Sequence, residues 1–339
     1  MPADYRRTAL ALGDCVDVVS VQHEYGIWGG DDGEYVLDFV RTLRLPTVTT
    51  LHTVLRNPSP RQRFILSELV AQSRATVVMS RSAATRLSRA YGVDARDINV
   101  IPHGVPDLPL IDPETVKAGL GLGGRNVILS FGLLGPSKGY ELAINALPEV
   151  VAQHRAACYV IVGATHPDFL RTEGETYRNR LKDQVKRLGL EEHVRFVDRY
   201  VGPGELTHWL EAADVFVTPY PTLDQIVSGT LSYAMGAGRA IISTPYTYAT
   251  ELLADGRGIL VAPGSATALA SALNDVLGDD ELRAALGRRA YAHSRQMVWS
   301  AVGAEYRRVL GSVTAAVPLT ELAGSMATVS PGTGTAAFR

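Results

Sequence analysis

The clearest chemical signal in the sequence is the segment 130–139, SFGLLGPSKG, in which an apolar strand pattern leads into a glycine-bearing loop with one lysine. A helical pattern begins directly after it. The N-terminus of a helix presents free backbone N–H groups and the positive end of the helix dipole, and Lys138 adds a full positive charge. We therefore predict an anion site that includes Gly135 and Lys138. The alternative is an ordinary strand–helix turn with a solvent-exposed lysine.

A second loop that opens a helix lies further along the chain, in the segment 224–238, DQIVSGTLSYAMGAG. Ser228, Gly229 and Thr230 stand at the predicted helix start, where backbone N–H groups are free to bind an anion. Asp224 and Gln225 precede them in the same loop. Both loops follow strand patterns, so the sequence predicts that they leave the same edge of one sheet and form one site.

The composition limits the kind of ligand. The chain has 339 residues, of which 46% are hydrophobic, and a net charge of −2, which is typical of a soluble protein of about two domains. No dense Lys/Arg run is present, which argues against nucleic-acid binding and favours a small, locally held anion. Cys15 and Cys158 are predicted to be buried free thiols. The sequence shows no secretory leader and no apolar run of the ~20 residues that a membrane span needs, so we expect a cytoplasmic protein.

Short Val/Ile-rich runs alternate with amphipathic stretches along most of the chain, which predicts repeated strand–helix units with parallel strands. The first set has predicted strands at 16–22, 46–51, 75–79 and 99–102, and predicted helices at 34–43, 60–71 and 82–90. A Pro- and Gly-rich break at 103–124 follows. We assign an N-terminal, acceptor-side domain to 1–115, a second domain to 116–314 and a disordered tail to 315–339.

The second set of units predicts a complete doubly wound sheet. Its predicted strands are 126–131, 157–162, 194–197, 215–219, 240–243 and 258–261. Its predicted helices are 139–153, 177–188, 203–212, 230–237 and 266–277, followed by 280–297 and 302–313. Ligands of open parallel sheets bind at the carboxyl ends of the strands, near the point where strand order reverses. We therefore expect the site in a cleft between the two domains.

These segments, with QHEYGIWGG at 22–30, LHT at 51–53 and IPHGV at 101–105, have an order and spacing that resemble a retaining glycosyltransferase of family 4 over roughly residues 16–312. The resemblance implies an α/β protein of the GT-B fold, with two facing Rossmann-like doubly wound parallel sheets. It also implies transfer of a mannose- or glucose-type hexose from a nucleotide-diphosphate sugar to a sugar, glycolipid or polysaccharide acceptor. The implied transfer proceeds with retention, without metal or other cofactor, and with peripheral membrane contact as a further expectation.

The resemblance places the donor in the second domain. It implies that Lys138 and the loop of Ser228, Gly229 and Thr230 bind the diphosphate. Gly163 would allow close approach of the backbone to the donor, and the nucleoside would lie near Arg199 and Tyr200. The alternative for that last pair is an exposed loop tip without a ligand. The sequence leaves the donor open between GDP-mannose, UDP-glucose and another sugar nucleotide.

The sequence departs from the family pattern at three donor positions. Leu133 stands where the family usually has a phosphate-binding arginine, and Gln225 and Tyr233 stand where it has two glutamates. Asp224 is placed to reach the sugar hydroxyls instead. The departures fit either a divergent subgroup or an inactive nucleotide-sugar-binding or scaffold protein of the same fold. An epimerase or phosphorylase on the same architecture is the third hypothesis. The absence of an Asp-x-Asp motif argues against a metal-bridged diphosphate.

The acceptor side depends on residues of the first domain. His52 follows a predicted strand, and the resemblance implies that it contacts the donor sugar near its 6-hydroxyl. The alternative is a strand-end histidine whose partners lie within the protein.

His23 and Glu24 are candidates to orient an acceptor hydroxyl, with Gly29 and Gly30 nearby. The alternative for this segment is helix capping by Asp31 or Asp32 and core packing of Trp28.

Two more histidines stand at loop positions of the sequence. We predict a structural role for His103, and a loop position for His166 that faces either the cleft or solvent.

In this fold the first domain normally opens with a further strand and a glycine-bearing loop. Around fifty residues are therefore expected to be missing before residue 16, leaving a thin sheet with exposed edges.

Overall fold

The computed structural model describes residues 2–13 and 15–315, and the predicted tail from 316 onward lies outside the described residues. The described chain forms two parallel sheets, one of four strands and one of six. The predicted fold class is confirmed. Every strand pair in both sheets is parallel, as the alternation of strand and helix patterns indicated.

The first unit contains four helix–strand steps. Its elements are α1 (Pro2–Leu12), β1 (Val19–His23), α2 (Tyr35–Thr42), β2 (Thr47–Leu51), α3 (Pro60–Ala71), β3 (Ala75–Val78), α4 (Arg81–Tyr91) and β4 (Ile98–Val100). A capping box of Ser59 and Gln62 starts α3, and the Ser80 hydroxyl caps α4. The strand order is sequential, β1-β2-β3-β4, so these strands contain no point at which the order reverses.

The second unit has more elements. They are α5 (Glu114–Lys117), β5 (Asn126–Phe131), α6 (Tyr140–Gln153), β6 (Ala157–Val162), α7 (Pro167–Glu173), α8 (Thr176–Arg187), β7 (Val194–Val197), α9 (Pro203–Glu211), β8 (Val215–Thr218), α10 (Gly229–Gly236), β9 (Ala240–Ser243), α11 (Thr247–Leu252), β10 (Ile259–Leu260), α12 (Ala266–Gly278), α13 (Asp280–Ser294) and α14 (Trp299–Ala315). The strand order is β10-β9-β8-β5-β6-β7, which is that of a Rossmann sheet. The order reverses between β5 and β8, so the loops after these two strands leave the sheet side by side.

The last helix of the described chain covers the first sheet. Val302, Val309 and Val313 of α14 pack in one cluster with Val48 and Val77. The hydroxyls of Tyr306 and Thr50 lie 2.9 Å apart. The sequence assigned this helix to the second domain, whereas its apolar face is buried on the four-stranded sheet.

Two features of the N-terminal segment differ from prediction. Helix α1 was not predicted, because its apolar pattern is weak; Leu10 is 61% exposed, and Tyr5 anchors the helix by packing on Trp28 and Tyr35. The prediction of a buried Cys15 thiol is wrong. Cys15 follows α1 and is exposed, whereas Cys158 in β6 is buried as predicted.

Candidate functional site

The two predicted anion-binding loops meet around Tyr220, which follows β8. Lys138 Nζ lies 4.5 Å from the centroid of the Tyr220 ring and 3.4 Å from its hydroxyl. The same hydroxyl lies 2.8 Å from Thr230 Oγ1, and the ring stacks on Tyr246 at 5.1 Å. Among the described residues, Lys138 forms no ion pair with a carboxylate. A lysine without a counter-ion beside a helix start is a favourable place for an anion.

The start of α10 leaves its first N–H groups free. Ser228 is the N-cap, and its hydroxyl accepts a hydrogen bond from the Leu231 N–H at 3.3 Å. The N–H groups of Gly229 and Thr230 have no acceptor within the helix, as at any helix start. A Cβ at Gly229 would lie 2.9 Å from His103 Nε2, so the glycine allows this ring to pack against the helix start.

Glycines allow the loops at the strand ends to pack closely. Gly139 has φ 65°, and a Cβ there would lie 2.1 Å from the Pro219 carbonyl oxygen. Gly163 has φ 147°, and its Cβ would lie 2.0 Å from the Gly132 carbonyl oxygen. These contacts within the protein account for both glycines. Gly135 is extended.

Arg199 and Tyr200 follow β7 at the outer side of this edge. Arg199 pairs with Glu205, with Nη2 2.6 Å from Oε1, and Tyr200 is 76% exposed. The pair is thus an exposed loop tip, and binding of a nucleoside there stays a prediction.

A buried residue that the sequence did not indicate, Arg178, ties the neighbouring loops together. Its guanidinium donates to the Gly163 carbonyl at 3.1 Å and to Asp198 at 2.5 Å.

Two of the positions that depart from the family pattern, Gln225 and Tyr233, have contacts within the protein, and so does the neighbouring Asp224. Asp224 Oδ1 lies 2.8 Å from Arg86 Nη2 of the first unit, and the Gln225 amide donates to the Val227 carbonyl at 2.9 Å. Leu133 is 39% exposed in the Lys138 loop. Tyr233 packs edge-on against His103, with ring centroids 6.1 Å apart. In these contacts, no arginine takes the place of the phosphate-binding cation that the family usually has at the position of Leu133.

Polar side chains at the edge of the first sheet pair with one another. His52 Nε2 lies 2.9 Å from Gln22 Oε1. Glu24 accepts hydrogen bonds from the Thr53 hydroxyl at 2.5 Å and from the Tyr25 N–H at 2.9 Å. Burial lowers the pKa of His52, and the Glu24 carboxylate partly opposes this shift. His52 is therefore a neutral hydrogen-bonding group near pH 7.

The predicted contact of His23 with an acceptor is not available in this structure. Its side chain is 0% exposed and packs edge-on against the Tyr25 ring at 5.0 Å. Neither ring nitrogen has a hydrogen-bond partner within the described chain. Burial, with a smaller contribution from His52, lowers the pKa of His23 to about 4. Successive side chains of a strand point to opposite faces of the sheet. In β1, Gln22 faces the cleft side and His23 faces the core, so His23 is not available to an acceptor.

Gly29 and Gly30 have a packing explanation. A Cβ on either would lie 2.7 Å from the Tyr35 ring, and the Gly29 N–H donates to the Tyr5 hydroxyl at 3.1 Å. The predicted packing of Trp28 is confirmed by its contacts with Tyr5 and Phe39.

The alternative role of Asp31 or Asp32 as a helix cap is not found, because neither side chain caps the following helix. Asp31 pairs with Arg61, and Asp32 accepts from Gln62, both in α3.

The two remaining histidines differ in position. His103 lies at the cleft, with Nδ1 2.8 Å from the Gly104 carbonyl, so Nδ1 holds the proton and Nε2 faces Gly229. Burial lowers the pKa of His103. His166 caps α7, its Nδ1 accepting from the Asp168 N–H at 3.2 Å.

Two features are absent from residues 2–13 and 15–315. None of their helices is long and apolar enough to cross a membrane. Their His, Cys, Asp and Glu side chains form no group of three or more that could hold a metal ion.

Solved structures with the same architecture include a complex with UDP and a sucrose-phosphate synthase. Anabaena HepE in complex with UDP superposes with a TM-score of 0.74 at 20% identity, covering 91% of this chain and 82% of that one. Sucrose-phosphate synthase from Thermosynechococcus elongatus gives a TM-score of 0.75 at 19% identity, covering 93% and 78%. At these identities the likeness shows the GT-B fold.

Curated relatives match most of the chain. Phosphatidyl-myo-inositol mannosyltransferase of Mycolicibacterium smegmatis is 29% identical over 256 residues, 73% of this chain and 61% of that protein. D-inositol 3-phosphate glycosyltransferase of Corynebacterium glutamicum is 26% identical over 281 residues, 77% of this chain and 65% of that protein. The chain thus spans less than two thirds of the length of these relatives.

Two family models match consecutive parts of the chain. Residues 8–107 match the model described as Glycosyltransferase Family 4, and residues 113–293 match Glycosyl transferases group 1. The junction between the matches falls in the Pro- and Gly-rich break of the sequence. Because the second match alone spans more than half of the chain, the protein belongs to the group 1, family 4 glycosyltransferases.

Proposed function

We propose that the protein transfers a hexose of the mannose or glucose type from a nucleotide-diphosphate sugar to a sugar, glycolipid or polysaccharide acceptor. The observation that supports this best is the meeting of Lys138, Tyr220 and Thr230 at the point where strand order reverses. The named activities of the mannosyl- and inositol-phosphate-glycosyltransferase relatives, and UDP in the HepE complex, favour a sugar-nucleotide donor.

The chemistry follows from where charge develops. As the bond between the anomeric carbon and the diphosphate oxygen breaks, negative charge grows on the leaving group. Lys138 and the N–H groups of Gly229 and Thr230 would stabilise that charge more in the transition state than in the ground state. The proposal includes no metal and no cofactor. We propose retention by same-face attack, in which the acceptor oxygen bonds the anomeric carbon and its proton passes to the leaving phosphate oxygen.

The second candidate is a protein that binds the donor and does not transfer its sugar. Three observations favour it: Leu133 in place of a cation, the Gln225 amide bound to its own loop, and the Asp224 carboxylate paired with Arg86. Both candidates predict binding of a sugar nucleotide at Lys138, and they differ only in turnover.

A donor panel separates the two candidates. UDP-, GDP- and ADP-sugars are added to the purified protein, and the release of nucleotide diphosphate and the shift in melting temperature are measured beside Lys138→Ala. Lys186→Ala, an exposed lysine on α8, is the matched control. A shift with turnover, lost only in Lys138→Ala, supports the transferase. A shift without turnover supports the binding protein, and no shift with any donor contradicts the site.

A further inference from the structure

Helix α4 of the first unit is capped by a residue of the second. The Glu251 carboxylate, in α11, accepts hydrogen bonds from the N–H groups of Arg81 and Ser82, each at 2.8 Å, and from the Ser82 hydroxyl at 2.6 Å. A carboxylate at a helix N-terminus is stabilised by the free N–H groups and the helix dipole. The contact joins the two units at a point outside the proposed diphosphate site.

Arg86, further along the same helix, contacts three segments at once. Its Nη1 donates to the Val54 carbonyl at 2.9 Å, two residues after His52. Its Nη2 lies 2.8 Å from Asp224 Oδ1 and 3.3 Å from the Thr247 hydroxyl. The side chain is only 10% exposed. One guanidinium therefore joins the acceptor-side loop of His52 to the loop that leads into the phosphate-binding helix start.

The middle of the loop formed by residues 224–230, the donor loop, is buried in the first unit. Ile226 is 4% exposed and belongs to the apolar cluster of the first sheet, and the Ser80 hydroxyl donates to its carbonyl at 3.2 Å. Two residues later, Ser228 caps α10 in the second unit. The segment between them thus spans the cleft, and its position depends on how the first unit is placed.

We propose that Arg86 is a positioning residue that holds residues 224–230 in register with the His52 loop, so that the diphosphate site is complete only when the two units are in contact. The inference rests on the proposed transferase function. Arg86 acts through Asp224 and Val54 and does not itself reach the start of α10. Lysine at this position would keep the charge but lose the planar fork that reaches several acceptors.

A residue that only stabilised the interface would behave differently. Arg86 and Glu251 both join the units, but only Arg86 contacts the donor loop. Removing either should lower the melting temperature. Only the loss of Arg86 should displace residues 224–230, and a small misplacement of a reacting site costs up to about 100-fold in rate. The pair therefore provides a test with an internal control.

The experiment compares Arg86→Lys, Arg86→Ala and Glu251→Gln with the unaltered protein, using kcat, KM, melting temperature and hydrogen exchange of residues 222–232. We expect kcat to fall about 100-fold in Arg86→Ala and about tenfold in Arg86→Lys, with faster exchange of this segment. We expect Glu251→Gln to change kcat less than about threefold. Because one network links the residues, Arg86→Ala should add little to Asp224→Asn.

The proposal is overturned if Arg86→Lys retains full kcat, if Glu251→Gln loses as much kcat as Arg86→Ala, or if exchange of residues 222–232 is unchanged. Failure of the transferase proposal is recognised separately, because the unaltered protein would then release no nucleotide diphosphate from any donor. The exchange comparison needs no turnover, so it decides on the role of Arg86 in that case too.

Discussion

At the edge of the six-stranded sheet, Lys138 lies over the Tyr220 ring with no carboxylate partner in the described chain. At the edge of the four-stranded sheet, His52 is bonded to Gln22, and Glu24 is bonded to Thr53. The first of these, the proposed donor edge, therefore has an uncompensated cation beside free N–H groups, while at the second, the paired edge, His52 and Glu24 are bonded within the protein. An uncompensated charge indicates an external anion, whereas an internally paired network indicates a surface that must exchange partners before it binds a ligand.

Topology accounts for part of this difference. In the six-stranded sheet the order reverses between β5 and β8, which brings two loops and two helix starts together. In the four-stranded sheet the order is sequential, and the loops follow one another along the edge. The edge of the six-stranded sheet thus brings both proposed phosphate-binding loops together, and the contacts of Arg86 with Val54 and Asp224 connect one of these loops to the four-stranded sheet.

The largest expected effect tests whether the paired edge, at the four-stranded sheet, takes part in the reaction. We expect His52→Ala to lower kcat about 100-fold, because the proposed polar contact of His52 with the transferred sugar is lost, while the affinity for nucleotide diphosphate stays the same. Steady-state kinetics and calorimetric titration of the nucleotide measure the two quantities. Gln22→Ala, which removes only the partner of His52, should have a smaller effect on kcat. An equal loss of nucleotide affinity would show that His52 belongs to the donor edge.

The second prediction concerns the close packing of the donor edge. Gly139→Ala places a Cβ 2.1 Å from the Pro219 carbonyl oxygen at φ 65°. We therefore expect the free energy of unfolding to fall by about 3 kcal/mol, and most of the nucleotide binding to be lost. Gly92→Ala, at φ 74° and ψ 18° with open space around it, should cost about 1 kcal/mol. Urea unfolding checks both values. Equal losses would mean that the backbone angle, and not the contact with Pro219, matters.

The third prediction uses the buried His23 of the paired edge. Its pKa is lowered from 6.5 to about 4 in the folded protein, so the unfolded chain takes up a proton first as the pH falls. Stability contributed by neutral His23 is complete above pH 6.5 and is lost toward pH 4, by up to about 3 kcal/mol. In His23→Leu this fall should be smaller by that amount, as measured by unfolding at several pH values. An unchanged profile would assign the pH dependence to His52 and His103, whose pKa values are also lowered.

The smallest effect tests the group that joins the two donor loops. Tyr220→Phe removes the hydroxyl that lies 2.8 Å from Thr230 and 3.4 Å from Lys138, and it keeps the stack on Tyr246. We expect the affinity for nucleotide diphosphate to fall about fivefold, equivalent to about 1 kcal/mol. Tyr91→Phe loses a hydrogen bond to the Leu55 carbonyl in the first unit and should leave the affinity unchanged. The same loss in both variants would point to general destabilisation.

Much of the donor edge could be predicted because its signals are local. The bounds of β5, β6, β7 and β9 agree with the predicted ranges, since buried parallel strands are continuous apolar runs bounded by turns. The Ser228 cap and the Lys138 loop lie where the sequence placed them. Whether these residues bind the donor stays a prediction.

The rest depends on contacts that no local pattern contains. Arg86 has the sequence context of an ordinary surface arginine on an amphipathic helix, and its partners become visible only when α4 meets the donor loop. The alternative of capping by Asp31 or Asp32 is likewise not found, because Arg61 and Gln62 of another helix bind these two residues. Burial of His23 also could not be predicted, because a shift of one residue along β1 exchanges the cleft and core faces.

The packing of α14 on the first sheet has a consequence for synthesis of the chain. Thr50 and Tyr306, which touch across this contact, are separated by 256 residues. On a ribosome, the first unit therefore emerges before the helix that covers Val48 and Val77. The apolar face of the first sheet stays exposed while the whole second unit is made. We expect arrested chains that end before residue 299 to have a protease-resistant second unit and a protease-sensitive first unit. The unit that begins first would thus be the last to mature.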